Sequence, residues 1–247
     1  MNPENNFLRF VKDNPLEDLK KFSGKFLSIG LPALYPERLI NYLKTYEESC
    51  FDVNNFEIII AIPEGKSGEK LEKEINFFLE SSKLNCKVVK HPYDYWTNMR
   101  SHNQIIFKHS DPTTYFYMNN SDRSRPSIKN WDLVIKQYIS ALPDDLFMLK
   151  STSITKHMKP RSSLHAAFFF PEHWGVFTRK FLETTEGFIE EHTGHDGACE
   201  MIQYFIDKNN FDYLKRDIVI PDLMMNEKSC ISGKEDSKYN FFKRYYI

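Results

Sequence analysis

The segment "NNFEIIIAIPEGKSGEKLEKEINFFL", residues 54–79, decides the fold class of this 247-residue chain. Residues 56–62 form an almost uninterrupted apolar run, as expected of a parallel strand that is covered on both faces. The charged segment over residues 67–81 carries Leu71 and Ile75 at helical spacing, which indicates an amphipathic helix. The stretch therefore predicts a strand followed by a helix, the repeating unit of α/β folds.

The same alternation continues on either side of this unit. Residues 25–31 (KFLSIGL) predict a strand, and Pro36 begins a helix. This order predicts a mostly parallel, doubly wound α/β sheet flanked by helices. The remaining predicted strands cover residues 86–91, 113–119, 146–150, 165–170 and 217–220, and the remaining predicted helices cover residues 97–109, 128–142, 178–186 and 196–208.

The composition disfavours several classes of partner and of cellular location. The 33 Lys and Arg nearly balance the 34 Asp and Glu, so the net charge indicates no nucleic-acid partner. The four cysteines form no C-x-x-C pair, which disfavours a zinc ribbon and favours a reduced, cytoplasmic setting. The polar first 15 residues lack the apolar centre of a signal peptide, and no run approaches the length of a transmembrane segment.

The chain shows no internal repeat and no low-complexity linker. We therefore predict one domain over residues 1–247, with a nucleotide-binding half at about residues 25–125 and a second half at about residues 126–220 that completes the pocket. The tail from residue 221 ends in KYNFFKRYYI, in which cations and aromatic residues are mixed. Such a segment packs on its own domain or makes a peripheral membrane or partner contact.

A polar cluster follows the predicted strand that contains "TTYFYMNNSDRSRP", residues 113–126. Asn119, Asn120, Ser121 and Asp122 stand where that strand ends. In open sheets of this type ligands bind beyond the carboxyl ends of the strands. The cluster is therefore a candidate hard-cation or phosphate site, and a plain turn is the alternative.

Several local strings, in the same order, resemble the family 2 glycosyltransferases of the GT-A fold over residues 25–220. "FLSIGLPALYPERLINYL" is similar to the opening strand, turn and first helix of that family, with Pro32 matching. "NNFEIIIAIPEGKS" is similar to the second strand and its Asp-Asp-Gly-Ser ending, with Glu64 at the second acidic position. "MRSHNQII" resembles the Ala-Arg-Asn-x-Gly stretch, with Asn103 matching and His102 in place of the arginine.

Two further strings complete the resemblance. "YFYMNNSDR" takes the place of the Asp-x-Asp loop that holds Mn²⁺ or Mg²⁺ and the sugar diphosphate, and Asn120 replaces its first aspartate. "GVFTRKFLETTEGFIEEHTGHDGACEMIQYF" resembles the downstream block that ends in Glu-Asp before a helix. The departures, among them Pro63 in place of the first acidic residue of the second strand, fall at functional positions.

The resemblance implies an inverting transfer of a sugar from a UDP- or GDP-sugar to a hydroxyl group of a glycan or other acceptor. Asp196 would be the general base that takes the proton of that hydroxyl. The alternative for Asp196 is a helix cap. The resemblance places nucleotide-sugar binding at Pro32, Glu64, His102, Asn103, Asn120, Asp122 and Arg123.

The same resemblance makes Asn120 and Asp122 the candidate metal ligands. A hard cation gains most from negatively charged oxygens, and this pair offers one carbonyl and one carboxylate. Arg123 and Arg125 carry forked donors that suit phosphate. We therefore expect a divalent cation, Mn²⁺ or Mg²⁺, to bind weakly or to be dispensable.

Two other classes of function stay open at this point. One is a non-catalytic module that binds nucleotide sugars or glycans, since an altered Asp-x-Asp loop is compatible with lost turnover. The other is a metal-dependent hydrolase built on His192, His195 and Asp196, because imidazole and carboxylate suit transition ions. Binding of a nucleoside diphosphate, followed by a turnover assay, separates the three classes.

Overall fold

The structure is a computed structural model, and a mixed, mostly parallel sheet forms its centre. Within the part of the chain that it describes, no helix is long and apolar enough to cross a membrane. The described residues are 24–33, 36–91, 106–120, 124–126, 128–152, 175–184, 217–221 and 224–226.

Strands and helices alternate through the first half of the chain. The strands are β1 (Leu27–Pro32), β2 (Phe56–Pro63), β3 (Cys86–His91), β4 (Phe116–Asn119), β5 (Ser124–Pro126), β6 (Met148–Thr152), β7 (Val176–Thr178), β8 (Asp217–Pro221) and β9 (Met224–Asn226). The helices are α1 (Pro36–Ser49), α2 (Lys66–Leu79), α3 (Trp131–Lys136) and α4 (Arg179–Thr184), and residues 106–109 are also helical.

Seven of these strands form the central sheet in the order β3-β2-β1-β4-β7-β6-β8. Strands β3, β2, β1 and β4 are mutually parallel, β7 is antiparallel to both of its neighbours, and β8 is parallel to β6. Strands β5 and β9 pair separately as an antiparallel ribbon. The predicted mostly parallel α/β sheet is thus confirmed.

Strand β2 is buried along its whole length, as its apolar run predicts. Ile58 and Ile60 belong to the larger apolar cluster, together with the buried side chains of α1, α2 and α3. Ile59 contributes to the smaller cluster on the other face, where residue Ile106 and helix α4 pack. Because successive side chains of a strand point to opposite faces, the sheet is covered by helices on both sides.

The predicted helix over residues 128–142 is shorter in the structure, where α3 spans only Trp131–Lys136. Before it, Asn130 has a left-handed φ of 58° and donates its main-chain N–H to the last carbonyl of α1 at 2.6 Å. After it, the main-chain N–H of Ser140 donates to the Tyr115 hydroxyl at 2.8 Å. Hydrogen bonds to distant parts of the chain therefore shorten the helix at both ends, although the sequence keeps a helical spacing of apolar residues there.

Other expectations differ at the edges of elements. The sequence does not predict β5, β7 or β9, since three residues are too few to show an alternating pattern. Of the predicted helix over residues 97–109, the structure describes residues 106–109. The predicted strand at 165–170 and the predicted helix at 196–208 lie outside the described residues.

A buried polar network occupies the edge of the sheet where the parallel strands begin. Glu57, near the start of β2, accepts hydrogen bonds from the Ser28 hydroxyl and the Asp111 main-chain N–H, each at 2.6 Å. Lys25 pairs with Glu57 at 3.2 Å and with the Asp111 carboxylate at 3.0 Å. These bonds join the starts of β1 and β2 to the loop that precedes β4, which gives the network a structural role.

Asp111 should make folding stability dependent on pH in the acid range. Hydrogen bonds from the Thr113 hydroxyl and main-chain N–H, with the Lys25 ammonium, lower the pKa of Asp111 from 3.8 to about 2. A group whose pKa is lowered by folding stabilises the folded protein at any pH above the pKa that the group has in the unfolded chain. The stability that Asp111 contributes is therefore lost as the pH falls from about 4 to about 2.

Urea unfolding of the wild type and of Asp111→Asn between about pH 6 and about pH 2 measures this effect. We expect the wild type to have a higher free energy of unfolding than Asp111→Asn at about pH 6. This difference in free energy should shrink as the pH falls from about 4 to about 2. A difference that stays constant with pH would show that Asp111 does not titrate in this range.

Candidate functional site

The carboxyl ends of β1, β2 and β4 meet at one edge of the sheet. Pro32, the last residue of β1, pairs with Ala61, and the main-chain N–H of Ala33 donates to the Ala61 carbonyl at 2.9 Å. On the other side of β1, the main-chain N–H of Asn120 donates to the Gly30 carbonyl at 2.9 Å. The carboxyl ends of the three strands are therefore neighbours, as ligand binding at this edge requires.

The turn after β2 presents Glu64 to solvent. The main-chain N–H of Glu64 donates to the carbonyl of His91, the last residue of β3, at 2.9 Å. Gly65 follows with a φ of 86°, a left-handed value that favours glycine, and α2 begins at the next residue. This geometry fixes the Glu64 backbone and leaves its side chain exposed at the edge.

Helix α2 begins unusually close to the end of β2. A Cβ atom added to Gly68, in the first turn of α2, would overlap the carbonyl oxygen of Pro63 and lie 2.8 Å from its carbonyl carbon. Only a residue without a side chain allows this approach. Gly68 therefore sets the distance between α2 and the turn that carries Glu64.

Asn120 lies in the protein interior, with 0% of its surface exposed. Its side-chain Nδ2 donates to the hydroxyl of Tyr42 at 2.9 Å and to the hydroxyl of Tyr46 at 2.5 Å. The two tyrosine rings stack with centroids 4.3 Å apart on α1. Burial raises the pKa of Tyr46, so its hydroxyl stays protonated at neutral pH.

The two tyrosines belong to an aromatic cluster that fixes α1 on the sheet. The Tyr46 ring meets the edge of Trp131 at 4.9 Å and of Phe56 at 6.4 Å between centroids. All three side chains are at most 1% exposed. The hydroxyls that accept the hydrogen bonds of the Asn120 amide thus belong to tightly packed rings with little freedom to move.

The structure places the predicted site residues in two groups. Pro32, Glu64 and Asn120 stand at the ends of β1, β2 and β4 respectively, so the structure brings the ends of these strands together. The residues that lie outside the described part, and whose assignments stay predictions, are His102, Asn103, Asp122, Arg123, Asp196, His192 and His195.

The described residues do not test the predicted cation site, because Asp122 lies outside them. Among them, no group of three or more His, Cys, Asp or Glu side chains could hold a metal ion. The amide of Asn120, one of the two predicted ligands, is engaged by the tyrosine hydroxyls. The metal role of Asn120 and Asp122 therefore stays a prediction.

Sequence reasoning assigned no site role to Tyr42, Tyr46 or Gly68. The spacing of Tyr46 with Leu39 and Leu43 indicates only the buried face of a helix. Two glycines stand three residues apart in "EGKSG", Gly65 and Gly68. Glycine in such a place often marks a close approach between two backbone segments, and this signal could have identified Gly68.

Neither a protein-family model nor a curated protein matches this sequence. Solved structures do match it. The mannosyltransferase PcManGT from Pyrobaculum calidifontis, in complex with GDP-Man and Mn²⁺, is 12% identical with a TM-score of 0.62, over 92% of this chain and 66% of that chain. TarS residues 1–349 from S. aureus, in complex with UDP-GlcNAc, are 16% identical with a TM-score of 0.60, over 89% of this chain and 64% of that chain.

A third match is glucosyl-3-phosphoglycerate synthase from Mycobacterium tuberculosis, in complex with Mn²⁺, UDP-Glc and phosphoglyceric acid. It is 13% identical with a TM-score of 0.54, over 86% of this chain and 74% of that chain. The present chain spans less than two thirds of both the TarS structure and PcManGT, 64% and 66% of their lengths. At such low identities the likeness shows the fold, and the GT-A fold predicted from the sequence is confirmed.

Proposed function

We propose that this chain is a glycosyltransferase that moves a sugar from a nucleoside-diphosphate sugar to an acceptor hydroxyl. The observation that carries the proposal is the meeting of the β1, β2 and β4 carboxyl ends in a chain with the GT-A fold. Structures with this fold are in complex with GDP-Man, UDP-GlcNAc and UDP-Glc. The amino edge, in contrast, is filled by the hydrogen-bonded network around Glu57.

The donor would lie across the turns at the carboxyl edge. Pro32 and Glu64 would hold the base and ribose, since both stand at the ends of neighbouring parallel strands. Asp122 and Arg123 would hold the diphosphate, because they follow Asn120 and Ser121 in the sequence just after β4. His102 and Asn103 would complete the donor site, as the resemblance to the family 2 glycosyltransferases implies.

Sugar transfer needs a base on the acceptor side. We assign this role to Asp196, whose carboxylate would take the proton of the acceptor hydroxyl. The hydroxyl oxygen would form a bond to the anomeric carbon as the bond from that carbon to the diphosphate oxygen breaks. The bonding electrons leave with the diphosphate, so a single displacement inverts the anomeric centre.

A divalent cation would help neutralise the departing diphosphate. With one carboxylate in the Asn120-x-Asp122 segment, the site offers fewer negative ligands than Mn²⁺ or Mg²⁺ prefers. The Arg123 guanidinium carries charge that can meet the phosphate oxygens directly. We therefore propose weak cation dependence, and we place the enzyme in the cytoplasm with a glycan or other hydroxyl compound as acceptor.

Calorimetric titration with UDP and with GDP tests donor binding and the cation at once. We expect at least one of them to bind, and we expect binding to persist, weakened, when a chelator replaces added Mn²⁺. The corresponding nucleosides serve as controls, since they lack the diphosphate. Complete loss of binding on chelation would contradict the weak-cation proposal, and no binding in any condition would contradict the transferase proposal.

A further inference from the structure

We propose that the nucleotide sugar used by this chain is a GDP-sugar and that the Glu64 carboxylate recognises its guanine base. This inference rests on the proposed function, and it selects one nucleotide among those that the function allows. The polar groups that support it stand at the carboxyl ends of β1, β2 and β3, all of which the structure describes.

The ends of β1 and β2 commit their main-chain N–H groups or lack them. Pro32 ends β1 and Pro63 ends β2, and proline has no main-chain N–H. The N–H of Ala33 donates to a carbonyl of β2 at 2.9 Å, and the N–H of Glu64 donates to a carbonyl of β3 at 2.9 Å. These four residues therefore present no uncommitted main-chain hydrogen-bond donor to a base.

The Glu64 side chain supplies the opposite kind of group. It is exposed, and its carboxylate can accept hydrogen bonds but can donate none. The Lys90 ammonium lies near enough to interact with the Glu64 charge, but it forms its ion pair with Glu72 at 2.7 Å. The Glu64 carboxylate is thus available to a ligand at this edge of the sheet.

Guanine and uracil meet a carboxylate differently. Guanine carries two hydrogen-bond donors side by side, its N1–H and its N2 amino group, and a carboxylate can accept from both at once. Uracil carries one such donor, its N3–H, between two carbonyl oxygens, so the second carboxylate oxygen would face a uracil oxygen. An edge that offers a carboxylate and no main-chain N–H therefore fits guanine and disfavours uracil.

The neighbours of Glu64 add position and affinity but no selectivity. Gly65, with its φ of 86°, and the hydrogen bond of the Glu64 N–H to β3 hold the main chain of the turn. Lys66 begins α2 and is exposed. Its ammonium can donate to a carbonyl oxygen of either base, so the choice between guanine and uracil is left to Glu64.

Calorimetric titration with GDP, UDP and inosine diphosphate tests the recognition of guanine. Inosine diphosphate is GDP without the N2 amino group, and it keeps the N1–H of the base. We expect the wild-type chain to bind GDP about tenfold or more tightly than either of the other two, because each of them loses one of the two hydrogen bonds to Glu64.

Glu64→Gln assigns this preference to the carboxylate. The substitution replaces one acceptor oxygen by an amino group that donates hydrogen bonds. We expect the affinity for GDP to fall by about tenfold and the differences among the three diphosphates to shrink to about threefold or less. Because the side chain is exposed, urea unfolding should give nearly the wild-type free energy of unfolding.

Glu69→Gln is the matched control on the same helix. Glu69 is exposed in the first turn of α2, and its charge, like that of Glu64, acts on Lys90. The substitution removes one negative charge near the same turn and leaves Glu64 in place. We expect wild-type affinities for all three diphosphates. An equal loss of GDP affinity in both variants would attribute the effect to charge alone and overturn the inference.

The outcomes distinguish this inference from the function it rests on. If the wild type binds neither GDP nor UDP, the proposed function and the inference both fail. If UDP binds as tightly as GDP or more tightly, only the inference fails, and the same holds if the preference for GDP persists in Glu64→Gln. A preference for GDP that Glu64→Gln loses and Glu69→Gln keeps supports the inference.

Discussion

Asp196→Asn should lower the rate of sugar transfer by about 10² or more and leave donor affinity nearly unchanged. The substitution keeps the size of the side chain and most of its ability to cap a helix, but an amide cannot accept the proton of the acceptor hydroxyl. The rate is measured as product formed at saturating donor and acceptor, and donor affinity is measured separately by calorimetry.

A helix-capping role of Asp196 makes a different prediction. Asparagine caps a helix about as well as aspartate, so Asp196→Asn would then transfer at the wild-type rate. Asp196→Ala would cost about 1 kcal/mol of unfolding free energy in that case. Full transfer activity in the asparagine variant would remove Asp196 from the mechanism and leave Glu190, Glu191 and His195 as candidates.

Gly68→Ala should lower the free energy of unfolding by about 3 kcal/mol, the upper part of the range for an overpacked site. The added Cβ would overlap the Pro63 carbonyl oxygen, which belongs to the main chain and cannot move aside as a flexible side chain can. Helix α2 or the end of β2 must then shift. Urea unfolding measures the loss.

The direction of this change is informative because alanine normally favours a helix. At an unstrained, exposed helical position the same substitution stabilises by about 0.5–1 kcal/mol. Ser67→Ala, one residue earlier and exposed, is the control, and we expect it to be neutral or slightly stabilising. A Gly68→Ala variant as stable as the wild type would show that α2 does not approach Pro63 as closely as described.

The sequence predicted the elements whose pattern is strong and local. Strand β2 combines an apolar run with burial on both faces, and β3 begins and ends at the predicted residues, 86 and 91. The length of α3 could not be predicted, because its ends depend on hydrogen bonds to α1 and to Tyr115. Those partners are distant in sequence, so the pattern of apolar and polar residues within the helix does not indicate them.

At the candidate site, the sequence predicts where the strands end but not how the side chains there are arranged. The turn after β4 follows from the strand pattern and from the rule for ligand sites in open sheets. The direction of the Asn120 side chain does not, since it depends on two hydroxyls of α1 about 75 residues earlier. The structure shows that Asn120, a predicted ligand, is buried and that its side-chain amide donates to two tyrosine hydroxyls.

Turnover of a nucleotide sugar tests the central claim most directly. Purified chain is incubated with UDP- and GDP-sugars and a panel of hydroxyl acceptors, and the released nucleoside diphosphate is measured with Asp196→Asn as the control. We predict acceptor-dependent release from at least one donor and a strongly reduced rate in the variant. Binding of UDP or GDP without release from any donor would contradict a transferase and identify a nucleotide-sugar-binding module.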